Sequence, residues 1–248
     1  MHNLWRARCA AALLTLASFA AGAAEITKLG VMSVLGGEIQ LVIRAPTTGT
    51  RIDRNARESL KADGFERFVL LATLEASRRE GLGEPVILGR PANGSTPWQR
   101  DGRAVLVTQT LLDAARAAKL SHLVLIQPAR AEAKLQMFRT ATGAGQLEGL
   151  GFYIDTALPV QNVDNNEWTT GFLAPYAYFD IYLVDVATLD LQAVHYARAS
   201  TAVSDPGRQG LDAWQALSNE RKVEVLQMLI REEIGKAMQE WAKPKTAR

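Results

Sequence analysis

The chain has 248 residues, 28 Lys and Arg against 26 Asp and Glu, and a formal net charge of +2. So even a balance argues against nucleic-acid binding, which calls for a strongly basic face; clusters such as Arg51, Arg54 and Arg57 are interleaved with Asp53 and Glu58, as on ordinary solvated surface. A single cysteine, Cys9, excludes a disulfide framework.

The chain opens MHNLWRARCAAALLTLASFAAGAAEITK, with Arg6 and Arg8 ahead of an apolar run from Cys9 to Ala21 and then small residues. This is the pattern of a secretory signal peptide, residues 1–23, and Ala21-Gly22-Ala23 predicts cleavage after Ala23 or Ala24. The run falls short of the ~20 residues that cross a bilayer, and no later stretch reaches that length, so no integral span is expected in the mature chain. Cys9 lies too early to be a lipid anchor. Removing the leader takes Arg6 and Arg8 away and leaves Lys plus Arg equal to the 26 acidic residues. A periplasmic chain without cysteine must fold on its core alone, and about 225 residues can do so by burying roughly 70% of the extended chain's surface.

Ile26 to Val34 and Ile39 to Arg44 read as strands joined by Leu35-Gly36-Gly37-Glu38, a hairpin signal. After a polar stretch, Asp63 stands as N-cap of a helix over FERFVLLATLEASRRE, with Phe65, Phe68, Val69, Ala72 and Ala76 at helical spacing and Gly81 as its stop. Glu84 to Leu88 predicts a short strand, and GRPANGSTPWQRDGR a surface excursion. Thr110 caps a helix ending near Lys119, with Leu111, Leu112, Ala115 and Ala118 inward, and His122 to Gln127 reads as a strand buried on both faces. Alternation over 132–138 and runs at Gly149 to Ile154 and Ala177 to Val186 add strands, and Thr188-Leu189-Asp190 turns the last into Leu191 to Ala197. Ser218 caps a final long helix with a stripe of Val223, Leu226, Ile230, Ala237 and Trp241.

This order predicts an α/β protein, with α+β as the neighbouring possibility: a single mixed β-sheet with helices packed against it, an opening β-hairpin and a closing long C-terminal helix. Residues 24–248 form one domain with surface excursions near 45–64, 89–102 and 155–175.

The segment LLDAARAAKLSHLVLI resembles the helix and following strand of bacterial envelope domains of the TolB N-terminal, CsgG and LpoB kind. FDIYLVDVATLDLQAVHYA resembles their strand, hairpin and return strand, most closely at Leu183-Val184-Asp185-Val186 with Thr188; Leu189 stands where the pattern prefers glycine. Many such relatives are lipoproteins, and this chain lacks their cysteine. The resemblance implies envelope assembly or regulation through protein contacts and transfers no catalytic residue.

No G-x-S-x-G, S-x-x-K, H-E-x-x-H, P-loop or cysteine cluster follows the leader. Gly143-Ala144-Gly145 with Gly149 and Gly151 imitates a dinucleotide loop, but Gly151 leads into the strand-like Phe152-Tyr153-Ile154, where a helix N-terminus would be needed. His122, at a helix-to-strand junction, reads as structural, and His195, between Val194 and Tyr196, as an exposed strand position. Gln161 to Trp168 is acidic and amide-rich but lacks EF-hand spacing. No catalytic residue, metal site or cofactor is expected.

The densest aromatic region holds Trp168, Tyr176, Tyr178 and Tyr182, with Asp180 between two tyrosines. Residues two apart share a strand face, so Phe179, Ile181 and Leu183 belong to the core, while the Tyr178-Asp180-Tyr182 face is expected to be only partly covered and to form a contact surface. Asp180 is expected to bond a tyrosine hydroxyl or a basic side chain. The function expected is a non-catalytic periplasmic binding or assembly factor with an envelope protein partner; the alternative is an envelope hydrolase pairing Asp180 or Asp185 with His122 or His195.

Overall fold

The computed structural model describes residues 26–44, 55–62, 64–91, 95–137, 140–161, 166–208 and 210–243. The leader, the cap at Asp63 and residues 162–165 of the amide-rich run lie outside the described residues. The elements are β1 (Leu29–Ser33), β2 (Glu38–Ile43), β3 (Ala56–Lys61), α1 (Phe65–Arg79), β4 (Val86–Ile87), β5 (Trp98–Asp101), β6 (Ala104–Val107), α2 (Gln109–Ala117) and β7 (His122–Pro128). Next come β8 (Arg130–Glu132), β9 (Leu135–Gln136), β10 (Ala141–Thr142), β11 (Gln146–Gln161), β12 (Trp168–Asp185), β13 (Leu191–Ser200), a 3-10 helix (Gly210–Ala216) and α3 (Asn219–Ala242).

One large mixed sheet with helices packed against it bears out the α/β reading. Its spine is β12. Antiparallel β13 pairs with residues 176–184 of β12 along one edge. The other edge is shared by two strands end to end: β11 pairs with 168–178 and β7 with 179–185. β2 runs parallel to β11 and β1 parallel to β7, so the outer line is also two strands in tandem.

This arrangement corrects the opening hairpin. β1 and β2 run in the same direction and do not pair with each other, because Gly36 and Gly37 lack the positive φ that a tight hairpin turn needs. The chain steps sideways instead, held by Gly36 N–H donating to Glu66 Oε2 at 2.8 Å and by Leu35 N–H donating to Ser33 Oγ at 3.2 Å. The antiparallel partner of β2 is β3, whose six residues ARESLK are all exposed and read from sequence as loop. Of the span 155–175, residues 155–161 and 168–175 are strand, with Asp155 fully buried at a register shift. Its Oδ1 accepts the N–H groups of Ala157 and Leu158, and its Oδ2 pairs with Arg44 at 2.5 Å.

α1 and α3 cover one face of the sheet, and the core there joins Val69, Ala72 and Ala76 to Leu226, Ile230 and Ile234 over Phe179, Ile181 and Leu183 of β12. Ser218 caps α3 as expected, accepting from Arg221 N–H. Val223, assigned to its apolar stripe, is 42% exposed although it shares the helical phase of Ile230: in the first two turns the buried positions are Lys222, Val225 and Leu226. α2 starts two residues before the expected cap, at Thr108, whose side chain makes no capping bond. On the opposite face, α2 with β5 and β6 covers Leu123, Leu125, Tyr182 and Val184, while the 130–147 segment covers Tyr153, Phe172, Tyr176 and Tyr178. His122–Pro128 therefore carries core residues on both faces, as its apolar run predicts. The β12–β13 turn places Leu189 at φ 59°, the conformation for which the envelope pattern prefers glycine.

The sideways step depends on the missing side chain at Gly36. A Cβ there would stand 2.5 Å from Glu66 Cα and from the Phe65 carbonyl carbon, atoms of a helix backbone that cannot move alone, whereas at Gly37 the nearest atom is the Arg90 guanidinium at 3.6 Å. Gly36→Ala should cost about 1–3 kcal/mol by overpacking, and Gly37→Ala should leave stability unchanged or raised by up to ~1 kcal/mol. Urea unfolding of the two variants checks this contrast.

Candidate functional site

Along the second face of β12, Phe172, Ala174, Tyr176 and Tyr178 pack under the 130–147 cover, and Tyr182 and Val184 under the α2 cover. Asp180 stands between the two apolar clusters, at the seam. Register places it opposite Gln127 of β7 and opposite Tyr196 of β13, so three polar side chains form a row across three strands.

A hydrogen-bonded relay runs along this seam. Trp98 Nε1 donates to Gln127 Oε1 at 2.7 Å, Gln127 Nε2 donates to the Tyr182 hydroxyl at 3.2 Å, and that hydroxyl donates to Asp180 Oδ2 at 3.1 Å. Arg198 closes it from β13, donating to Asp180 Oδ1 at 2.9 Å and to the Phe179 and Ala197 carbonyls. Burial, then the charge of Asp180, pushes the Tyr182 hydroxyl up to about 12, which keeps it protonated and donating.

Tyr196 lies above the relay and is 53% exposed. Arg100 donates to its hydroxyl at 2.8 Å, and the Arg198 guanidinium lies 5.9 Å from its ring centre. Arg100 also lies 5.9 Å over the Tyr182 ring, and Arg198 5.8 Å over that of Tyr178. An exposed tyrosine is thus bracketed by two arginines whose positions are set from beneath.

Asp180 has both kinds of partner expected of it, but its face is not open: Tyr176 and Tyr178 are fully buried, Tyr182 is buried and Asp180 is 9% exposed. Two segments remote in sequence, 98–115 and 130–147, fold over that face. Trp168, 66% exposed, lies twelve residues up β12 from Asp180, about 40 Å along an extended strand, and is not part of the cluster. Gln127, Arg198, Trp98, Arg100 and Tyr196 escaped the sequence reading; a hairpin centred on Thr188 sets Asp180 opposite Tyr196 and two residues from Arg198 in register, a signal that was within reach.

The carboxylate and histidine pairing of the hydrolase alternative takes another form. His195, read as exposed, points under α3, and its Nε2 lies 2.8 Å from Oε2 of the buried Glu233, whose Oε1 accepts from Lys236 at 2.7 Å. Its register partner is Ile181 on the helix-covered face, which is why it is inside. Asp185 uses Oδ1 to accept the turn N–H groups of Ala187 and Thr188, and His122 is buried with Nδ1 3.1 Å from Ser121 Oγ. Among the described residues, no group of three His, Cys, Asp or Glu is placed to hold a metal ion. No helix among them is long and apolar enough to cross a membrane.

Two depressions adjoin the seam. One of about 470 Å³ is lined by Trp98, Arg100 and Gln127, and one of about 650 Å³ lies at the strand breaks; Pro128 and Glu148 border both, and neither histidine lines either.

No known family's profile matches the chain, and no curated protein does. Among solved structures it is similar to a PelC dodecamer variant from Paraburkholderia phytofirmans, at 11% identity over 84% of this chain and 85% of that one, TM-score 0.30. It is also similar to a homologue of neuraminyllactose-binding hemagglutinin from Helicobacter pylori, at 9% identity over 88% and 83%, TM-score 0.36. A Xanthomonas campestris protein of the DUF330 family is a third, at 10% identity over 87% and 88%, TM-score 0.33. Superpositions this loose carry no inference about function.

Because Asp180 joins a largely buried ion pair, Asp180→Asn should cost about 2 kcal/mol, more than a surface carboxylate would, by leaving Arg198 without its charged acceptor. A double-mutant cycle with Arg198→Gln, read by denaturant unfolding, should show non-additivity of at least ~1 kcal/mol.

Glu233 gives a pH dependence of known sign. Burial works to raise its pKa, but the hydrogen bonds from His195 and Lys236 outweigh this and hold it below the ordinary carboxylate value. A group depressed on folding adds stability above its unfolded pKa of about 4.3 and loses it as pH falls through the folded value. Glu233→Gln should therefore destabilise the protein at neutral pH and flatten the fall in urea midpoint between about pH 5 and pH 3; an unchanged acid limb would contradict this role.

Proposed function

We propose that the chain is a non-catalytic binding or assembly factor of the bacterial cell envelope, exported to the periplasm and acting on a protein partner. The observation that carries this reading is the Tyr196 surface: tyrosine and arginine are the residue types that dominate protein contacts, and here Arg100 and Arg198 are fixed around an exposed ring by hydrogen bonds and a buried carboxylate. Tyr178, Asp180 and Tyr182 support this surface from beneath, and Trp168 is a separate contact at the far end of β12. Tyr176 belongs to the neighbouring depression. The signal-like start supports export, and the resemblance to TolB, CsgG and LpoB domains supports a place in envelope assembly.

A photoreactive side chain at Tyr196 in the full protein, expressed in its own envelope, should yield a discrete adduct with one envelope protein, and Arg100→Ala should remove it. The same group at the exposed Leu71 on α1 should yield none. Equal labelling from both positions, or none from Tyr196, would count against this surface.

A further inference from the structure

The larger depression is a product of the tandem strands. On the second face of β11, Gly149 and Gly151 occupy successive positions, leaving a trough without side chains next to the ends of β1 and β7. Tyr176, paired with Gly151 from β12, lies across it: a Cβ on Gly151 would stand 2.5 Å from the Tyr176 hydroxyl and closer still to the Gln40 carbonyl on β2. Glycine is needed there so that the ring can cross β11 and deliver its hydroxyl toward β2. Tyr176 belongs to the wall of the depression, and its hydroxyl, buried just behind that wall, has no hydrogen-bond partner among the described residues. Leaving a buried hydroxyl without a partner is costly, and a bound group that accepts from it would relieve that cost.

The surroundings define what the ligand carries. Arg57 and Glu148 line the depression with Tyr176 and act electrostatically on its hydroxyl, and Arg57 is steadied by donating to the Gln146 carbonyl at 2.6 Å. Burial raises the hydroxyl's pKa, so it stays an O–H donor beside a guanidinium, a pairing suited to a carboxylate. Arg90 and Glu38 add one charge of each sign to the lining, which leaves it balanced and unsuited to a polyphosphate. We infer that this depression binds a small zwitterion of the amino-acid or short-peptide class, its carboxylate received by Tyr176 and Arg57 and its ammonium by Glu148.

Calorimetric titration of the full mature protein with the dipeptide alanyl-alanine, with its N-acetylated form, with its doubly capped amide and with inorganic phosphate tests the assignment. The dipeptide should bind saturably, and the doubly capped form at least about tenfold more weakly. Tyr176→Phe should weaken the dipeptide about tenfold while keeping or raising the melting temperature, because the lost hydroxyl had no partner. Glu148→Gln, an exposed change that cannot unfold the protein, should weaken the dipeptide and leave the N-acetylated form unaffected. The assignment is overturned by absence of saturable binding up to about 10 mM, by unchanged affinity in Tyr176→Phe, or by phosphate binding more tightly than the dipeptide. None of these outcomes bears on crosslinking at Tyr196, so the two readings fail separately.

Discussion

An 18-residue strand must satisfy its backbone hydrogen bonds along roughly 60 Å, and β12 meets that requirement by taking two partners in tandem on one edge. The junction between them falls at Tyr178 and Phe179. The polar relay and both depressions gather around it, because where one partner strand ends and the next begins, neither the sheet nor its covers are continuous. The sideways step at Gly36 repeats the break in the outer line, the departure of residues 129–145 from the inner line supplies one cover, and the chain preceding β7 supplies the other.

Asp180 follows from that discontinuity. A carboxylate inside either apolar cluster would lose several kcal/mol to desolvation; at the seam it is met by Arg198, Tyr182 and, through Tyr182, Gln127. Such a network adds little net stability over apolar packing, since desolvation offsets much of the attraction between the charges. It does fix geometry. Arg198 spends donors on Asp180 and on two backbone carbonyls and retains its guanidinium face for the rings of Tyr178 and Tyr196.

What could be read from the sequence divides along physical lines. Local signals were legible: the apolar spacing of α1, the Ser218 cap of α3, the doubly buried run of β7 and the alternation that put Phe179, Ile181 and Leu183 in the core. The errors arose where distant chain decides. Arg57, Glu58 and Lys61 form strand only because β2 offers a ladder; the glycines at 36 and 37 permit a reversal or a step, and the α1 backbone against Gly36 selects the step. Burial of Tyr176 and Tyr178 comes from cover segments that no periodicity within β12 can announce. At Leu189 the pattern flagged a missing glycine, and the backbone adopts the left-handed conformation regardless, because Asp185 holds the turn N–H groups and β12 and β13 dictate the crossing.

The same strand thus serves two chemical roles by alternation and by position. Its helix-covered face is apolar across the junction and carries no polar demand. Its other face passes from an orphaned hydroxyl at Tyr176, through an arginine-covered ring at Tyr178, to a fully paired carboxylate at Asp180, within five residues. A satisfied polar group rigidifies what it touches, whereas an unsatisfied one is a standing cost that a ligand can relieve. On that distinction Asp180 fixes Arg198 beneath Tyr196, whereas the Tyr176 hydroxyl is the member of the series left without a partner among the described residues, and the two lie close together because both originate in one break of the sheet.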